Sequence, residues 1–339
     1  MGAESRTRSA ASCVRLGAVL LALGLVWLAA CSLPQPPLRV AIIPWIGYQP
    51  LLLAQDLGHF PEHSIRLVEL RSNTESLRAM RNRDVEAAAL TLDEVLLLAA
   101  EGHEIAVVLV LDCSAGADAL VAHPEVDGLS DLAGRRVGVE STANGAYVLR
   151  RVLHLAQLTP DEIQIVEVSS AGQLEAYRTG QVDALVTYEP LRTQLAGLGA
   201  ETLFDSREIP CEIVDVLAVQ RAVLAEREEQ IRQLLRGWFA AVQYHQAMPR
   251  QAAERLAPRL GMPPDDYLTA AAGVQLATRA LNCTALTAPA DADGLAASAQ
   301  RLAEVMRAHG LLRQEPDLTR LIEAGPLRAL GCNTPRDRP

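Results

Sequence analysis

Between residues 38 and 188 short apolar runs alternate with amphipathic stretches, and this alternation limits the fold more than any other feature of the chain. Residues 38–43 read as a compact apolar strand, 50–58 as a helix stopped by Gly58, and 65–70 as a second strand. The pattern continues with a helix over 74–83, a strand over 87–91, a helix over 92–101 and a strand over 105–111. A second series follows, with strands over 118–122, 136–139, 163–168 and 183–188 and helices over 144–155 and 173–179. Repetition of this kind predicts parallel sheets covered by helices, an α/β architecture. From Ala225 onward the chain turns helical, because Ile231, Leu234, Leu235, Trp238 and Val242 line one face of a long helix. Two α/β units and a helical C-terminal section define a bilobed protein with a cleft between the lobes.

The first 31 residues bear on where such a protein works. Arg6, Arg8 and Arg15 precede an uncharged run from Leu16 to Ala30, which ends in Leu28-Ala29-Ala30-Cys31. A basic segment, an apolar segment and small residues before a break make a secretory signal over residues 1–30. The run is short of the ~20 residues a membrane span needs. Leu-Ala-Ala-Cys resembles the lipobox of bacterial lipoproteins, which implies lipidation of Cys31 and an exported chain anchored to a bacterial membrane. The alternative is an uncleaved anchor helix. Residues 31–37, rich in proline, suit a short stiff tether.

Half of the 339 residues are apolar, ample for a core, and the length suggests two lobes. The formal net charge is −10, with no basic patch to meet phosphates, so nucleic acid is excluded as a partner. Beyond Cys13 and Cys31 there remain Cys113, Cys211, Cys283 and Cys332, without a Cys-x-x-Cys pair or a histidine at ligand spacing. That argues against a metal site and, outside the cytoplasm, for two disulfides, whose three possible connectivities the spacing leaves open.

The segments Val40-Ala41-Ile42-Ile43-Pro44-Trp45-Ile46-Gly47-Tyr48-Gln49-Pro50-Leu51 and Ala54-Gln55-Asp56-Leu57-Gly58-His59-Phe60 resemble the opening of the nitrate/sulfonate/taurine and thiamine-precursor (NMT1/THI5-like, SsuA-like) substrate-binding proteins of ABC importers. Residues 112–119, 129–139 and 180–190 continue the likeness in the family's order, over roughly residues 38–280. The resemblance implies a type II periplasmic-binding-protein fold. Lobe 1 would be discontinuous, residues 38–115 plus 220–335, and lobe 2 would be residues 116–219. It implies a monomeric extracytoplasmic receptor, without cofactor or catalysis, that delivers a sulfonate, amine, pyrimidine or similar molecule to a membrane permease. A receptor domain for a membrane sensor is the alternative. It also implies that the two crossings between lobes run side by side, which pairs Cys113 with Cys211 and leaves Cys283 for Cys332.

Ligands of open α/β sheets bind beyond the carboxyl ends of strands, so the loops there supply the candidates. Trp45, Gly47 and Tyr48 follow the first strand; aromatics are only 4% of the chain, and the two rings can stack on a ligand or face a cation while Gly47 admits close approach. Asn73 opens the helix after the second strand, where it or Ser72 could equally be a cap. Thr91 and Asp93 repeat that arrangement, Asp93 being as well suited to the helix dipole. The segment from Asp112 through Ser114, Gly116 and Ala117 to Asp118 lies where the chain crosses between lobes; it reads either as ligand contact or as hinge architecture. Ser141, Thr142 and Asn144 open a helix with free N–H groups. Tyr188 and Glu189 end a strand, and Asp215 lies in the return crossing. These residues are acidic or hydroxylic, with no Lys or Arg, which leans toward a donor-rich ligand such as an amine or amidine, although hydroxyls and helix N-termini can hold a sulfonate. An enzyme is the rival class, but no nucleophile-elbow, Walker, dinucleotide or zincin motif occurs; His103-Glu104 lacks a second histidine. The pyrimidine-synthesising enzymes that share the resembled fold carry a cysteine cluster, which this chain lacks.

Overall fold

The computed structural model describes residues 35–61, 63–140, 143–288 and 294–332. The signal segment, Cys31, Ser141 and Thr142 lie outside them. Among the described residues, strands form one sheet of six and one of five.

The first sheet contains β1 (Leu38–Ile42), β2 (Ile65–Glu69), β3 (Ala87–Thr91), β4 (Ile105–Ser114), β10 (Val214–Gln220) and β11 (Val274–Leu276), in the order β11-β4-β10-β3-β1-β2. All residues of β3 and β4 are buried, which explains why these strands read as unbroken apolar runs: helices cover both faces. The second sheet contains β5 (Asp118–Ala122), β6 (Arg136–Val139), β7 (Gln164–Glu167), β8 (Ala184–Tyr188) and β9 (Glu201–Asp205), in the order β7-β6-β8-β5-β9.

Both sheets are mixed, which corrects the expectation of parallel ones. β1 pairs in parallel with β2 and β3, but β10 inserts antiparallel between β3 and β4. In the second sheet β5 lies antiparallel to both β8 and β9. The cause is the connection. Parallel neighbours follow crossover helices, whereas β5 and β10 enter their sheets straight from the other sheet and need no crossover.

The C-terminal helix Glu228–Ala247 buries Ile231, Leu234, Leu235, Trp238 and Val242, the face its periodicity marks. Trp238 Nε1 donates to the Ala277 carbonyl at 3.3 Å, satisfying the one polar atom of a fully buried ring. Cys113 is bonded to Cys211 and Cys283 to Cys332, with Cα separations of 5.4 and 5.1 Å. Cys113 stands opposite Val214, where β4 leaves the first sheet and β10 returns to it.

Asn282, on the helix Arg279–Thr287, extends this sheet without being a strand. Its side-chain amide accepts from Val110 N–H at 2.7 Å and donates to Val110 C=O at 2.9 Å, completing the edge of β4 beyond the end of β11. Asn282→Ala leaves both groups of Val110 buried without partners, and each such group costs ~1–3 kcal/mol. We expect a loss of about 2–4 kcal/mol in urea unfolding; a loss under 1 kcal/mol would show that water replaces the amide.

Candidate ligand-binding site

The carboxyl ends of β1, β3 and β8 and the two crossing strands meet at one cavity. Its walls are Ile43, Trp45, Tyr48, Asn73, Thr91, Asp118, Asn144, Tyr188 and Asp215. Ile43 to Thr91 and Asp215 come from the first sheet's side, and Asp118, Asn144 and Tyr188 from the second's. The enclosed space is about 10 Å³, roughly what one water occupies. The lobes are therefore closed on each other. Thr74 Oγ1 donates to Glu140 Oε1 at 3.2 Å, Ser170 Oγ to the Arg71 carbonyl at 3.2 Å, and the Trp45 ring meets Tyr188 edge-on at 5.9 Å between centroids. Tyr188 also walls a second cavity of about 430 Å³, edged by Leu70, Arg71, Pro190 and Arg259.

Register explains the acidity of the site. On β10, Asp215 stands opposite Thr91 on one side and Asp112 on the other, so two carboxylates of neighbouring strands face the same end of the sheet. Aromatic donors hold them: Trp45 Nε1 donates to Asp112 Oδ2 at 3.3 Å, and the Tyr48 hydroxyl donates to Asp215 Oδ1. Asp118 begins β5 opposite Tyr188, and its Oδ1 accepts from Asn144 Nδ2 at 3.2 Å. Gly47 lies beneath the Trp45–Asp112 bond, where a Cβ would stand 2.2 Å from Asp112 Oδ2 and 2.4 Å from Trp45 Nε1. Its smallness serves that bond rather than an approach to a ligand.

Burial is the main influence on every one of these acids. It raises the carboxyl of Asp118 to about 6, that of Asp112 to about 7 and that of Asp93 to about 6. Asp215 and Glu94 are pushed well above the usual range, also first by burial and then by the neighbouring Asp112 and Asp93 respectively. Loss of hydration penalises the charged form, and like charges add to the penalty.

Not all the sequence candidates reach the cavity. Asp93 and Asp112 are buried behind its wall. Ser114 and Gly116 build the crossing instead: Ser114 Oγ shares a hydrogen bond with Ser206 Oγ at 2.7 Å and accepts from Asp118 N–H at 3.1 Å. Gly116, at φ +122, donates to Ser206 Oγ and accepts from Arg192. The Ala117 carbonyl accepts from Glu189 N–H at 3.0 Å. Glu189 turns its carboxylate to the N–H of Thr193 at 3.1 Å, on the helix Leu191–Ala196. Sequence reasoning missed Ile43, hidden in an apolar strand end, and gave no reading of Glu94 and Glu140, which are buried although they do not line the cavity.

Known proteins place this architecture. A sequence profile described as the NMT1-like family matches residues 32–260, more than half of the chain. The chain belongs to the NMT1-like family. It is similar to the taurine-binding periplasmic protein of Escherichia coli, 23% identical over 207 residues, covering 59% of this chain and 64% of that relative, under two thirds of its length. The fold matches that of the alkanesulfonate-binding protein SsuA of Xanthomonas axonopodis pv. citri bound to MOPS, with a TM-score of 0.71 at 18% identity over 86% of this chain and 99% of that one. It also matches the aliphatic sulphonate binding protein SsuA of Escherichia coli, with a TM-score of 0.69 at 19% identity over 85% and 98%. Two α/β lobes of the type II periplasmic-binding-protein kind are the shared feature.

Proposed function

We propose that this protein is an extracytoplasmic receptor that encloses one small polar organic molecule between its lobes and delivers it to an ABC importer. The observation that carries the reading is the cavity at the closed junction, with walls from both sheets and three side-chain or ring contacts spanning it. Family membership and the sulfonate- and taurine-binding relatives support the same role. In this reading the lobes are residues 38–115 plus 214–335 and residues 116–213, the return boundary falling earlier than the expected 220 because β10 pairs with β3 and β4 of the first sheet, and closure turns about the two crossings beside Ser114 and Val214. Anchoring through lipid on Cys31 after removal of residues 1–30 would keep the receptor near its permease; no helix among the described residues is long and apolar enough to cross a membrane.

A thermal-shift screen of sulfonates, amines, pyrimidines and flavins identifies the ligand class, since a molecule at 100 times its Kd stabilises by ~2.7 kcal/mol. With a confirmed hit, solution scattering is expected to show a smaller radius of gyration at saturation than without it. Identical profiles would argue against closure around a ligand.

A further inference from the structure

The cavity's polar atoms are unbalanced. Asp118 and Asp215 line it, Asp112 stands behind Trp45 and Tyr48, and no Lys, Arg or His is among the lining residues. Three of its donors are committed: the Trp45 indole, the Tyr48 hydroxyl and the Asn144 amide N–H each point at a carboxylate, while the Thr91 hydroxyl, which can donate or accept, has no partner. Its acceptors are not. Asp118 Oδ2, Asn73 Oδ1 and Asn144 Oδ1 have no hydrogen-bond partner, although their side chains are at most 6% exposed. Buried oxygens in this state are costly, and only a donor relieves them.

A sulfonate brings three more acceptors and negative charge to a site already rich in both, so it makes this imbalance worse. A bare metal ion finds no nest either, because no group of three His, Cys, Asp or Glu side chains among the described residues converges as metal ligands. The three rings of Trp45, Tyr48 and Tyr188 suit a flat or compact cation that keeps some apolar surface.

Resting on the receptor reading above, we propose that the solute is an organic cation bearing N–H donors, a primary ammonium or an amidinium. Its charge is met by Asp118 and Asp215, and its N–H groups bond Asp118 Oδ2, Asn73 Oδ1 and Asn144 Oδ1. Charge-assisted bonds of this type are the strong ones, and an amidinium can engage a carboxylate through two of them.

The test is calorimetric titration of the purified protein with putrescine, agmatine and benzamidine, set against choline, taurine and ethanesulfonate. At least one of the first three binds at micromolar concentration, choline binds at least tenfold more weakly because it lacks N–H groups, and ethanesulfonate does not bind. Asp118→Asn weakens the amine at least 100-fold while the melting temperature of the free protein stays level or rises, which separates lost binding from lost folding. Ethanesulfonate binding without amine binding, in a manner abolished by Trp45→Ala, overturns the cation assignment and leaves the receptor reading standing. Taurine binding that survives Asp118→Asn overturns it too, as does choline matching the amines. No binding of any amine or amidine overturns it as well, and ligands bound without any change in scattering profile overturn the receptor reading instead.

Discussion

The ligand-free protein is expected to melt at a higher temperature at pH 5 than at pH 8, the reverse of what salt-bridged carboxylates produce. Asp93, Glu94, Asp112, Asp118, Glu140 and Asp215 are buried around one small volume, and burial raises the carboxyl of each. A group whose folded pKa exceeds its unfolded value binds more protons in the folded state. Stability is then fully present below the unfolded value, near 3.8 for aspartate, and is lost as pH rises through about 6 for Asp118 and about 7 for Asp112. Asp118 alone is worth about 3 kcal/mol over that window, by ~1.4 kcal/mol per pH unit. A difference on the order of 5 °C between pH 5 and pH 8 follows for a chain of this size. Asp118→Asn should flatten part of the profile. Scanning calorimetry across the range checks it: a melting temperature that climbs toward pH 8, with the same slope in Asp118→Asn, would mean the carboxylates stay hydrated.

Replacing Cys113 and Cys211 together by serine should cost about 4–5 kcal/mol, the larger effect of a single covalent change in this chain. The bond closes a loop of 98 residues that contains the whole second sheet, and constraint of the unfolded chain grows with loop length. The neighbouring Glu212 is held separately, its carboxylate accepting from the Tyr147 hydroxyl at 2.6 Å and from Arg151 at 2.7 and 2.9 Å. Cys211 is exposed and sits at φ +53, so the bond ties an exposed turn to the end of β4 beside the return strand. The bond Cys283–Cys332 closes a loop of 49 residues at the C-terminal end of the described chain, and its loss should cost somewhat less. Chemical denaturation of the double-serine protein, with far-UV circular dichroism to establish that it still folds, measures the effect. A loss below 1 kcal/mol would falsify the hinge-strap role of this bond.

Much of this site could be read before the fold was seen, because strand ends in open sheets carry ligand groups. Trp45, Tyr48, Asn73, Thr91, Asn144 and Tyr188 follow from that rule, Asp118 and Asp215 from their places in the two crossings, and all eight line the cavity. The rule does not say which neighbours of a ligand group are masonry, so Ser114, Gly116, Ala117 and Glu189 came with them. Glu94 and Glu140 were illegible for a different reason: glutamate is almost never fully buried, and nothing local marks these two as exceptions. Strand direction was equally hidden. The run Val214–Gln220 is largely apolar and buried nearly throughout, as a central strand is, but such a run reads the same whichever way it points. β9, with charged ends, and β11, three residues long, fall below what periodicity resolves.

The position of β10 in the first sheet sets an order of assembly. It lies between β3 and β4, which precede it in the chain by about a hundred residues, and pairs with both along most of its length. Until it arrives, β3 and β4 present open edges and no common neighbour. The second sheet is made from one uninterrupted stretch, Asp118 to Asp205, so its strands meet early, while in the first sheet β1, β2 and β3 can pair but β4 waits for β10. A chain that folds as it emerges from its N-terminus thus completes its second sheet first, and the acidic end of the first sheet is assembled only when Asp215 takes its place beside Asp112.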